Sequence, residues 1–150
     1  MRLTLTPSTL LFGATALLAL ACSGARAQQP APAGCATVEI RNLVPGQGQL
    51  KLNAFSTQED FNLKPVSSLQ VQVGGGSEPL RLQVCGLGGT AVALSAFQDL
   101  NANGKLDRNP MGVPTEPWGA SGKPVSFSAP TWATSQVPLD GQPIVITLAR

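Results

Sequence analysis

Short oxygen-bearing side chains recur at every second position in Asp99-Leu100-Asn101-Ala102-Asn103-Gly104-Lys105-Leu106-Asp107. This spacing suits a loop that wraps a hard cation in oxygen, with glycine where the chain turns sharply. Asp99, Asn101 and Asn103 would give side-chain oxygens, Lys105 its backbone carbonyl, and Asp107 a direct or water-bridged contact. Leu106 would pin the loop to the core. The twelfth position of such a loop carries a bidentate glutamate in an EF-hand. Here it is Pro110, and no helix pattern flanks the loop, so this is not an EF-hand. Glu116 is placed to fold back and complete the set. Calcium is expected to bind weakly, with Kd on the order of 10⁻⁴ to 10⁻³ M.

The same residues suit a corner that holds no metal. Asn-Gly is the strongest type I′ hairpin dipeptide, and Asx side chains cap turns. A third reading takes Asp99, Asp107 and Glu116 as a glycoside-cleaving carboxylate set. That chemistry needs two carboxyl groups about 5–10 Å apart across a cleft. The chain has no histidine and no tyrosine. Imidazole bases, imidazole metal sites and Ser-His or Cys-His pairs are therefore excluded. No cofactor other than calcium is implied, and the expected role is non-enzymatic.

The elements that would hold this loop read as strands. Ala36 to Leu43 alternates, with Val38 and Ile40 on one face and Glu39 and Arg41 on the other. Val44-Pro45-Gly46-Gln47-Gly48 is a turn, and Gln49 to Ser56 alternates again, so the two runs predict a β-hairpin. In the polar stretch 57–68, Phe61 and Leu63 are expected to anchor the loop. Leu69 to Val73 and Leu80 to Val84 are further alternating strands, with a flexible glycine turn at 74–77 between them. Thr90 to Gln98 is apolar on both faces, which marks a central strand, and it runs directly into Asp99. Gln142 to Leu148 is the last strand. Pro110, Pro114 and Pro117 exclude a helix or an inner strand between Asn109 and Gly119. A long loop of this kind is often functional. Trp118 is either a lid on its own loop or, with Trp132, part of a surface for a protein or glycan partner. With no helical period in the chain after residue 27, the expectation is an antiparallel β-sandwich of about seven strands, immunoglobulin-like or transthyretin-like.

Residues 1–27 read as an export signal: Arg2, the apolar run Leu10 to Leu20, then Ala25-Arg26-Ala27 as a small-x-small cleavage site. Lipidation at Cys22, after Ala19-Leu20-Ala21, is the rival reading. Residues 28–34 form a Pro/Ala-rich leader expected to be disordered, and residues 35–150 form one domain. The expected location is periplasmic or secreted, with no transmembrane span. Of ten Lys/Arg, Arg2 and Arg26 leave with the signal; the remaining eight face eight Asp/Glu. A chain so balanced, without a basic patch, is not expected to bind nucleic acid. In an oxidising compartment Cys35 and Cys85 read as one disulfide closing a loop of about 50 residues. Both are out of phase with their apolar neighbours, so they leave the core face together.

From about Thr90 onward the chain resembles a bacterial secreted family known as domain of unknown function 2141. The resemblance rests on the strand running into DLNANGKLD, then MGVPTEPWGAS, FSAPTW and the terminal PIVITL. It implies an exported β-sandwich and supplies no activity or substrate. Members often have histidine where Gln98 stands, Phe-Ser-Asn where Ala120-Ser121-Gly122 stands, and phenylalanine at Trp132.

Overall fold

The computed structural model describes residues 33–76, 79–123 and 128–150. Residues 1–32, which include the expected export signal, Cys22 and most of the expected leader, lie outside the described residues. Eight strands and one helical turn follow in order: β1 (Cys35–Arg41), β2 (Gln49–Phe55), β3 (Ser67–Gln72), β4 (Leu80–Cys85), β5 (Ala91–Asp99), β6 (Trp118–Ala120), α1 (Trp132–Ser135), β7 (Gln136–Pro138) and β8 (Ile144–Thr147). They form a two-sheet β-sandwich. One sheet has the order β4-β1-β8; the other has β3-β2-β5-β6, with β7 also paired to β5.

Period-two alternation builds the core between the sheets. Val38, Ile40, Val84 and Ile146 face it from the first sheet, and Leu50, Leu52, Val92 and Leu94 from the second. All eight are at most 1% exposed, so the two apolar faces are the main source of stability. The central strand is β5, as its two apolar faces foretell. Ala93, on its outer face, is also fully buried. There Phe55, Phe61 and Trp132 form an edge-to-face chain with centroid separations of 5.3 and 6.3 Å. Phe61 anchors its loop in this way; Leu63 does not, being 81% exposed.

Several local expectations are corrected. The runs before and after residues 44–48 do not form a hairpin with each other. β1 pairs with β4 and β8, whereas β2 pairs with β3 and β5, so the turn carries the chain from one sheet to the other. Each run alternates, but alternation does not name a partner. β8 lies parallel to β1, so the sandwich is not wholly antiparallel. Residues 118–120, read as loop, form strand β6 on β5. Asn103 is not among the non-glycine residues with positive φ, whereas Ala102 is, at 58°, so Asn103-Gly104 is not a type I′ turn.

Cys35 and Cys85 stand directly opposite each other in the β1–β4 register and are bonded. Their flanking neighbours Ala36 and Val84 are buried, so the disulfide sits on the outer face as the phase argument requires. On that same face Glu39 is only 6% exposed and lies between two arginines. Arg41 Nη2 is 2.6 Å from one oxygen, and Arg81 Nη2 is 3.1 Å from the other.

At one side the two sheets join through backbone. Trp118 N donates to Ala149 O at 3.0 Å, and Ala149 N donates back to Trp118 O at 2.8 Å. Gly119 permits this approach, because a Cβ there would meet Thr147 O at 2.8 Å and Ile146 Cγ2 at 3.1 Å. Gly119→Ala should therefore lower unfolding free energy by about 1–3 kcal/mol in urea titration. Hydrogen bonding from Arg41 lowers the Glu39 pKa; burial opposes this, and Arg81 adds to the lowering. The stabilisation is complete above the ordinary carboxylate range and is lost as pH falls through the lowered value. Thermal melts across the acid limb should show this loss, and Glu39→Gln should flatten it.

Candidate loop site and adjoining cleft

The site grows from the end of β5. Residue parity places Gln98 in phase with Val92, Leu94 and Ala96, facing the core, and Asp99 with Phe97, facing outward. Both are fully buried. A polar side chain at full burial must satisfy its hydrogen-bonding atoms. Gln98 does so on the sheet-crossing turn: Nε2 donates to Val44 O at 2.8 Å and Gln47 O at 2.7 Å, and Oε1 accepts from Val44 N at 2.7 Å. Gly48, at φ +60°, packs so tightly on the Asp99 carbonyl that no side chain fits there.

Asp99 turns its carboxylate into the loop. Oδ1 accepts from Asn103 N at 3.0 Å and Oδ2 from Gly104 N at 2.7 Å. Lys51 Nζ lies 3.8 Å from Oδ2. Lys51 is opposite Phe97 in the β2–β5 register and Gln49 is opposite Asp99, so Lys51 is the diagonal neighbour on the same face.

The two asparagines converge on Asp107. Asn101 Nδ2 donates to Asp107 Oδ2 at 2.7 Å, and Asn103 Nδ2 donates to Oδ1 at 2.9 Å. Their carbonyl oxygens form Asx turns: Asn101 Oδ1 accepts from Asn103 N at 3.1 Å and Asn103 Oδ1 from Lys105 N at 2.8 Å. The side-chain oxygens of Asp99, Asn101, Asn103 and Asp107 thus all accept hydrogen bonds within the loop. Lys105 contributes no ion pair to those found among the described residues.

Glu116 does fold back onto the loop. It is 4% exposed, and its carboxyl joins the loop's two ends. Oε1 accepts from Leu100 N at 2.7 Å and Oε2 from Asp107 N at 3.0 Å. No group of three or more Cys, Asp or Glu side chains with metal-binding geometry occurs among the described residues. The oxygen set here has two loop carboxylates and two amides.

Beyond Asp107 the chain makes a compact hairpin. Thr115 N donates to Asp107 O at 2.9 Å and Asn109 N to Val113 O at 2.9 Å. Asn109 Oδ1 accepts from both Met111 N and Val113 N at 3.0 Å. Met111 at the tip is 84% exposed and Val113 54%. Between this hairpin and the outer face of β5 and β6 lies a cleft of about 680 Å³, lined by Phe97, Trp118 and Arg108 among others. Trp118 is half-buried in it. Trp132 does not line it; its ring packs on Phe61. None of Asp99, Asp107 and Glu116 lines it either.

Sequence reasoning missed Gln98 and Lys51. Gln98 carried a signal, a polar residue in phase with a run of core positions. Lys51 carried none, because only register brings it to Asp99. Glu116→Gln would set an amide N–H₂ against one of the two part-buried backbone donors and leave that donor without an acceptor. It should cost about 1–3 kcal/mol of stability. Hydrogen exchange should quicken at the Leu100 and Asp107 amides above all.

No curated protein and no solved structure matches the chain. A family model described as an uncharacterized protein conserved in bacteria, DUF2141, matches residues 38–147. That span runs from within β1 to the end of β8 and takes in the loop, Glu116 and the cleft lining except Ala149 and Arg150, so the chain belongs to the DUF2141 family.

Proposed function

We propose that this is an exported, non-enzymatic β-sandwich module whose 99–107 loop orders the following hairpin and presents the Trp118 cleft to a protein or glycan partner. The observation that carries the reading is the double tie of Glu116 to Leu100 and Asp107. Through it the loop, the hairpin and the strand bearing Trp118 are held as one unit. The export signal in residues 1–27 and the disulfide both fit an oxidising compartment. A carboxylate hydrolase is not carried forward, because the carboxylates it needs bind backbone amides or asparagines away from the cleft.

Calcium is the ion this loop would take. Asn101 and Asn103 already crowd their amides onto the Asp107 carboxylate, and a cation would displace those two donors. Each carboxylate oxygen keeps a further lone pair for a metal after accepting one N–H. A second reading, a metal-free corner, is favoured by Lys51: its ammonium stands 3.8 Å from Asp99, where it supplies positive charge without an ion.

Calcium titration followed by thermal melting separates the two. With Kd between 10⁻⁴ and 10⁻³ M, about 10 mM calcium should stabilise the protein by about 1.4–2.7 kcal/mol. Asp107→Ala should abolish that gain, and Lys51→Gln should enlarge it by removing a competing charge. No calcium-dependent shift in the unsubstituted protein would establish the metal-free corner instead.

A further inference from the structure

We propose that the cleft beside the 108–114 hairpin binds a small organic anion with an apolar body, such as an aryl or acyl carboxylate. This goes beyond the reading of the Trp118 face as one for a protein or glycan and shares with it only the cleft. The cleft's volume of about 680 Å³ lies within the range of small-molecule sites. Phe97 and Trp118 line it from the sheet, and Met111 and Val113 from the hairpin, so its walls suit an apolar body.

Among the described residues, the charged side chains that line it are of one sign: Arg108 and Arg150 do, and no aspartate or glutamate does. The nearby carboxylates are already engaged. Asp107 accepts from Asn101 and Asn103, and Glu116 from two backbone amides. Neither arginine takes part in an ion pair found among the described residues. Arg108 Nη1 donates to Gly112 O at 2.9 Å, which steadies the guanidinium on the hairpin and leaves its other N–H groups for a ligand. A planar guanidinium meets a carboxylate with two parallel hydrogen bonds, and a neutral isostere of the same shape forgoes them.

The test uses the intact ¹⁵N-labelled protein, titrated with 1-naphthoate and with neutral 1-naphthalenemethanol. Naphthoate should give saturable shifts at the Phe97, Val113 and Gly119 amides and at the Trp118 indole N–H. It should bind at least about tenfold more tightly than the alcohol. Arg108→Gln should bring the two affinities together, and Arg108→Lys should restore part of the preference. Arg150→Gln, which removes no side-chain hydrogen bond found among the described residues, reads the second cation without risk to the hairpin. Equal affinity for acid and alcohol, a preference that survives both glutamine variants, or shifts outside the cleft would each overturn the proposal. A cleft that ignores both probes would overturn it too, while the loop's role is still judged by the calcium melts.

Discussion

Burying a carboxyl group is costly unless each oxygen finds a donor, and Glu116 is buried where strands have just ended. The available donors are the unpaired backbone amides of the loop that leaves β5. Leu100 N and Asp107 N meet the two oxygens, so one side chain closes the loop between them. The rest of this end of the sandwich follows from that closure. Asp107 is held where Asn101 and Asn103 reach its carboxylate, and its carbonyl is held where Thr115 starts the return to Glu116. The hairpin from Arg108 to Pro114 is therefore fixed at both feet, although its tip is exposed.

Three consecutive polar anchors share the task of tying loops to the β5 end. Gln98 looks inward and grips the turn that crosses between the sheets. Asp99 looks outward and grips the Asx loop. Leu100 offers its amide to Glu116. The alternation that puts Val92, Leu94 and Ala96 in the core also sends these groups to opposite sides, so a single strand end organises two loops. Gly48 and Gly119 let the backbones approach closely enough for this, one against Asp99 and the other against β8.

The cleft is a consequence of the same construction. β6 is short, and its Trp118 exchanges backbone hydrogen bonds with Ala149, so the sheets meet beside the hairpin. The outer face of β5 next to this seam, around Phe97, is left only partly covered. Further along the same face, Phe55, Phe61 and Trp132 cover Ala93 with a packed aromatic layer. The contrast between the two halves of one sheet face gives the cleft its position.

Much was legible in the sequence because it rests on local rules. Period-two alternation located the principal strands, the two-faced apolar run marked β5 as central, and the phase of Cys35 and Cys85 placed their bond outside the core. The Asp99–Asp107 spacing identified an Asx-rich loop at the end of β5, and Glu116 was singled out as a carboxylate that folds back to it, although as a cation ligand and not as the acceptor of two backbone amides. What alternation cannot convey is which strand sits beside which, since each run is equally complementary to any other. The crossing of residues 44–48 between sheets, the parallel β1–β8 pair and the three residues of β6 were therefore decided by packing. So were the partners of the polar atoms. Lys51 reaches Asp99 only through the β2–β5 register, and Glu116 meets backbone amides because burial leaves its oxygens no other donors. Residue types and spacing determined that this chain would carry strands and an Asx-rich loop; only the tertiary structure decided where each strand end lies and what each buried oxygen binds.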